Sequence, residues 1–126
     1  MKVLQVIEAA YRATLEEQDD TIVWLTHAMK GAGADLDVLL RGNAVCHAAK
    51  GQDAGGLRIG DWTQENPVDL PRDLAKLMEA GVSVYVVRDD LVERGLEETA
   101  LVGGVRPIAS REIASLCDDH DIVWHW

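Results

Sequence analysis

Residues 82–96 read VSVYVVRDDLVERGL, and this stretch decides the fold. A run of β-branched residues ends at Val87, and charge begins at once with Arg88, Asp89 and Asp90. The run is apolar at nearly every position, which is how a strand covered on both faces reads; Gly95 then stops a short helix over 89–95. A strand that passes directly into a helix is the unit of a parallel α/β sheet.

The same alternation extends in both directions. KVLQVI (2–7) predicts a first central strand and LDVLLR (36–41) a second. GVRPIA (104–109) and DIVWHW (121–126) supply two more. Between them, 20–33 carries Ile22, Val23, Leu25, Ala28 and Met29 at helical spacing, with Asp20 or Thr21 as its cap. NAVCHAAKG (43–51) reads as a short helix capped by Asn43. PRDLAKLMEAG (71–81) is a helix with Pro71 in its first turn, and 110–120 is one capped by Ser110. The expected fold is α/β: a three-layer α/β/α domain over 1–126 with a five-stranded, mostly parallel sheet. Only 52–71 breaks the pattern. It holds three of the eleven glycines and two of the three prolines, the composition of a lid or an oligomer arm.

Composition narrows the function. The chain has 126 residues, no Phe, and 22 acidic against 12 basic side chains, a formal charge of −10. Such a surface repels phosphate backbones and anionic lipids, and no basic cluster offsets it, so nucleic acid and membrane are not expected partners. No run approaches the ~18 apolar residues of a membrane span, and the N-terminal run is too short for a signal peptide. Two cysteines, Cys46 and Cys117, make no disulfide framework. A cytoplasmic protein is expected.

Ligands of such sheets bind beyond the carboxyl ends of the strands, where strand order reverses. That rule selects Glu8 and Tyr11 after the first strand and Arg41 and Asn43 after the second. Arg88, Asp89 and Asp90 follow the third strand, and Ser110 the fourth. Arg88 is the base at the opening junction. Its planar fork suits a small anion, and the competing reading is an ion pair with Asp89, Asp90 or Glu93. Asp89 and Asp90 can divide acid and base roles, or simply begin a helix whose dipole favours negative charge.

Other chemistries find little support. EAAYR stands where a dinucleotide site has its glycines, and there is no P-loop. Cys117 and His120, or Cys46 and His47, do not make a converging set of zinc ligands, and no cofactor or metal is expected. Cys46 would be a reactive thiolate if it sat in the first turn of a helix capped by Asn43, and otherwise a small buried apolar residue. Trp124 and Trp126 share one strand face, and Trp62 lies in the long irregular segment as an interface or lid anchor.

The order of elements, with NPVDLPRDLAKLMEAGVSVYVV (66–87), RDDLVERGL (88–96) and the DIVWHW ending, resembles the DsrE/DsrF-like family, which includes TusD-type sulfur-relay subunits. The resemblance implies a five-stranded α/β/α domain that assembles into homotrimers or homohexamers, or mixed oligomers, and meets a sulfur-relay partner. It also implies a persulfide-carrying cysteine at the end of the third strand, eight residues before the helix glycine. Counting back from Gly95 gives Val87, which has no nucleophile. Three roles follow: a small-ligand-binding or assembly module without sulfur transfer, a sulfur carrier relying on Cys46 instead, or a hydrolase- or isomerase-like enzyme built on Asp89, Asp90, Arg88 and Glu8.

Overall fold

The computed structural model describes residues 1–11 and 20–126. Its elements run β1 (Lys2–Ile7), α1 (Thr21–Gly31), β2 (Asp35–Leu40), a 3-10 segment (Gly42–Ala48), β3 (Arg58–Ile59), β4 (Trp62–Thr63) and α2 (Leu70–Glu79). They continue with β5 (Val84–Val87), α3 (Arg88–Glu93), β6 (Arg106–Ile108), α4 (Ile113–Asp118) and β7 (Ile122–His125). Five strands form one sheet in the order β6-β5-β2-β1-β7, and every pairing in it is parallel. The expected three-layer α/β/α architecture is therefore the observed one.

Period-two alternation sends the strand residues to two separate cores. Val3 and Ile7 of β1, Leu36, Val38 and Leu40 of β2, and Val84 and Val86 of β5 meet Ile22 and Val23 of α1 and Leu70, Leu74 and Leu77 of α2. Leu4, Val6, Leu39 and Val87 point the other way, under Leu116 of α4. This second core is much the smaller, and among the described residues α4 supplies its helical side chains. Burying each large aliphatic side chain such as Leu74 stabilises the fold by about 1.5–3 kcal/mol.

Two polar groups stand inside these apolar strands, and both are satisfied. Gln5 is fully buried in β1; its Nε2 donates to Thr26 Oγ1 (2.9 Å) and its Oε1 accepts from Trp126 Nε1 (2.7 Å). Asp37 of β2 sits at the amino edge of the sheet, where it accepts from the Ser83 N–H (3.0 Å) and pairs with Lys2 Nζ (3.0 Å) and His120 Nε2 (3.1 Å). Burial alone would raise the Asp37 carboxyl. The hydrogen bonds from Lys2, Ser83 and His120 outweigh it and hold the carboxyl below its ordinary range.

Several local expectations need correction. The segment after β2 is a 3-10 helix whose capping position is Arg41, with no side-chain cap; Asn43 lies inside it and its Oδ1 accepts from Arg94 (2.9 Å from Nη2). The Ser110 region opens with a 3-10 turn (Ser110–Glu112) before α4, and Ala109 precedes it as the cap position. Both changes have one cause: the polar side chain found a partner in or at the end of α3 rather than its own backbone. Asp20 does cap α1, accepting from the N–H groups of Ile22 and Val23. The stretch 52–71 also contains an unexpected antiparallel hairpin, β3–β4, turning at Gly60 with φ +60°. Leu57, Ile59 and Trp62 on and beside it are exposed.

Candidate functional site

The chain steps outward from β1 through β2, β5 and β6, then returns to place β7 on the other side of β1. Strand order therefore reverses between β1 and β7, and the crevice rule points to their carboxyl ends. Glu8 follows β1 and His125 ends β7, and Glu8 Oε2 lies 2.6 Å from His125 Nε2. Sequence reasoning singled out Glu8 and gave His125 no role. Applying the carboxyl-end rule to the last strand as well would have found it.

Arg41 comes next along the edge. Its N–H donates to the Ile7 carbonyl (3.0 Å), and the register Ile7↔Leu40↔Val86 sets it beside Glu8 on one side and Val87 on the other, one residue past the paired positions. Among the described residues, the buried Arg41 Nε has no hydrogen-bond partner and no carboxylate pairs with the guanidinium. The acids around it are engaged elsewhere. Glu8 is held by His125, and Asp90 Oδ2 accepts the Gly42 N–H at 2.7 Å. Gly42 takes φ +54°, and a Cβ there would come within 3.1 Å of the Glu8 side chain. Glycine is thus what lets β2 turn against Glu8.

Beyond β5 the junction that opened the sequence is structurally occupied. Arg88 is exposed and pairs with Glu98, which raises its pKa further; the partner is none of the three acids expected. Asp89 Oδ2 accepts from both the hydroxyl and the N–H of Ser110 (2.7 Å each), and those bonds, the hydroxyl first, hold its carboxyl below the ordinary range. Arg94 ties Asp90 to Asn43, donating to the Asp90 carbonyl (3.0 Å) and to Asn43 Oδ1. Asp89 and Asp90 act here as loop anchors, and Val87 below them is 1% exposed.

Cys46 and Tyr11 fall in a different place, on the α1–α2 side. Cys46 is half-buried and packs against the larger core. Tyr11 has φ +58°, rare for a residue with a side chain, and its N–H donates to His47 Nε2 (3.2 Å). Its ring stands edge-on to the His47 ring at 5.4 Å, and its hydroxyl donates to Gln52 Oε1 (2.8 Å). Burial, with Cys46 nearby as the lesser cause, raises the Tyr11 phenol. His47 is fully buried, and burial lowers its pKa against the opposing pull of Asp20. Because Nε2 accepts, the proton of the neutral ring sits on Nδ1, for which no described residue is an acceptor. Among the described residues, no group of three or more His, Cys, Asp or Glu side chains is arranged to hold a metal ion. No described helix is long and apolar enough to cross a membrane.

With this geometry in hand, the chain resembles solved structures over nearly its whole length. It superposes on the ychN protein from E. coli with a TM-score of 0.73 at 21% identity, covering 99% of this chain and 98% of that one. It also matches MTH1491 from Methanobacterium thermoautotrophicum, described as a protein of unknown function, with a TM-score of 0.62 at 12% identity over 99% and 98% of the two chains. The shared fold is the three-layer α/β/α arrangement around a parallel five-stranded sheet. At these identities the likeness concerns the fold alone. No family model matches the chain, and no curated protein does. Within this fold, the end of the third strand of the main sheet carries Val87, with Arg41 beside it by register.

Proposed function

We propose that the protein is a DsrE-like small-anion-binding module related to sulfur metabolism, which binds at the carboxyl edge of the sheet through Arg41 and transfers no sulfur. The observation that carries this reading is the buried Nε of Arg41, without a partner among the described residues, in a chain of net charge −10. A guanidinium cannot shed its proton, so a buried N–H without an acceptor is a standing cost that an anion or other acceptor relieves. The other bases near this edge are engaged, Arg88 by Glu98 and Arg94 by Asn43 and the Asp90 carbonyl. Val87 offers no thiol, and Cys46, the remaining candidate carrier, packs against the core.

The module works as a homo-oligomer, a trimer or hexamer, in the way the resemblance implies. Its support is the exposed apolar arm of Leu57, Ile59 and Trp62. Light scattering is expected to return a multiple of 13.8 kDa. A sulfur-relay protein is the partner class that the resemblance implies.

The test is a panel of sulfate, sulfite, thiosulfate, phosphate and acetate, read as shifts in thermal midpoint. At least one anion raises the midpoint of the unmodified chain, and Arg41→Gln abolishes the rise. A flat response across the panel would sink the reading.

A further inference from the structure

Arg41 and its neighbours form a row across the carboxyl edge. Ile7, Leu40 and Val86 are paired in register and turn into the larger core, so the next residues, Glu8, Arg41 and Val87, turn to the opposite face. Val87 does pack in the smaller core there, and Arg41 keeps an extended backbone at φ −136° and ψ 171°. His125, paired with Val6 of that same face, completes the row beyond Glu8. Glu8 therefore stands between an imidazole and a guanidinium, and its two oxygens are not equivalent. Oε2 is engaged by His125 Nε2 at 2.6 Å. Oε1 leans toward β2, where it lies 3.6 Å from the position a Cβ would take on Gly42, the residue after Arg41. Among the described residues Oε1 has no hydrogen-bond partner and the guanidinium has no carboxylate, although the Glu8 side chain is 46% exposed in the next strand position. The Glu8 main chain is fixed, its N–H donating to the Trp126 carbonyl (3.0 Å) and its carbonyl accepting from the Ala44 N–H (3.2 Å). A donor and an acceptor thus flank one stretch of the edge without meeting.

We infer that Glu8 selects among anions, and that the site takes small oxyanions that keep a proton, such as the protonated forms of phosphate or sulfite. The inference rests on Arg41 as the anion anchor and adds the class of ligand. A guanidinium only donates, and an ionised carboxylate only accepts. Adjacent strands lie about 4.8 Å apart, a gap that one tetrahedral oxyanion reaches across. An oxyanion seated on Arg41 therefore meets Glu8 with one of its own oxygens. Where that oxygen carries a proton, it donates to Oε1 in a charge-assisted hydrogen bond, and the ligand is satisfied at both ends. Where the oxyanion is fully ionised, as sulfate and thiosulfate are, two acceptors of like charge face each other and the contact repels.

The probes are phosphate and sulfate, alike in size and shape and different in their proton, with methyl sulfate as a singly charged tetrahedral anion that has none. Each is titrated into the full chain at mildly acidic pH and followed by calorimetry and by the Arg41 Nε signal in NMR. Phosphate is expected to bind at least about 10-fold more tightly than sulfate or methyl sulfate, the lower end of the worth of a hydrogen bond to a charged group. Methyl sulfate separates the proton from the charge, since it matches singly ionised phosphate in charge alone. Glu8→Gln replaces the acceptor with an amide that also donates, so sulfate gains and the preference for phosphate collapses. Arg41→Gln abolishes binding of all three. The comparison of anions on the unmodified chain needs no variant, so the test survives a Glu8→Gln chain that fails to fold. The inference falls, and Arg41 stands as the anchor, if any fully ionised anion matches or exceeds phosphate, or if the preference for phosphate persists in Glu8→Gln. A flat response to every anion removes the anchor, and this inference with it.

Discussion

The two edges of the sheet treat buried polar groups in opposite ways. At the amino edge, Asp37 gathers Lys2, the Ser83 N–H and His120, while His120 Nδ1 lies 2.7 Å from the Leu116 carbonyl. Every polar atom in that set has a partner. Along and beyond the carboxyl edge, Arg41 Nε and His47 Nδ1 are buried and have none among the described residues. Charges that face only one another contribute to stability and recognise nothing else. Donors left without acceptors cost stability, and an ordered water, an ion or a ligand supplies what they lack. The same strands thus begin in a structural clamp and end beside polar atoms that no described residue satisfies.

The largest test of this contrast breaks the clamp. Asp37→Ala strips His120, whose side chain is 1% exposed, and the Ser83 N–H of their acceptor. A loss of about 3 kcal/mol in urea unfolding is expected, with anion binding by the surviving fold unchanged. The clamp also sets the acid limb. The Asp37 carboxyl is depressed in the folded state, so its contribution is present above the unfolded value of about 3.9 and disappears as pH falls through the lower folded value. Asp37→Asn flattens that limb.

A smaller effect is expected at the binding edge. Gly42→Ala forces a side chain into φ +54° and against Glu8, costing about 1–2 kcal/mol. Unlike Asp37→Ala, it displaces Glu8 from His125, which the imidazole signals report. His47 sharpens the comparison through pH. Its folded pKa is lowered, so its contribution is present above the unfolded value of about 6.5 and falls as pH drops below it. His47→Gln removes that slope near neutrality and leaves the Asp37 limb intact.

The smallest changes fall at the junction itself. Arg88→Ala breaks an exposed pair with Glu98 and leaves both the thermal midpoint and the anion response within error. Offered a cysteine desulfurase and its substrate, the protein gains no one-sulfur mass increase on Cys46. Such an adduct, lost in Cys46→Ser, would restore the carrier reading.

Much of this architecture was legible because burial writes itself into residue patterns. KVLQVI and VSVYVV announce strands covered on both faces, and Leu74 and Leu77 keep helical spacing toward the same core. The hairpin at 58–63 was legible too. IGDW places Gly-Asp between strand-forming residues, a two-residue turn signal that the surrounding glycines and prolines obscured. Caps were less readable, since Asn43 and Ser110 bond to Arg94 and Asp89 across the fold.

The sequence alone determined the fold class, the acidic surface, and the valine at the position where the resemblance expects a persulfide. Those properties depend on local pattern, composition and position along the chain. Strand order was decided only in three dimensions, and with it the reversal between β1 and β7 that joins Glu8 to His125 across 117 positions. Which arginine stays free was decided there as well. Arg88 and Arg41 each sit at a strand end, and only packing shows that Glu98 reaches one while Glu8 and Asp90 are tied away from the other. Pairing of charges depends on distance through space, and residues far apart in the chain carry no mark of that distance.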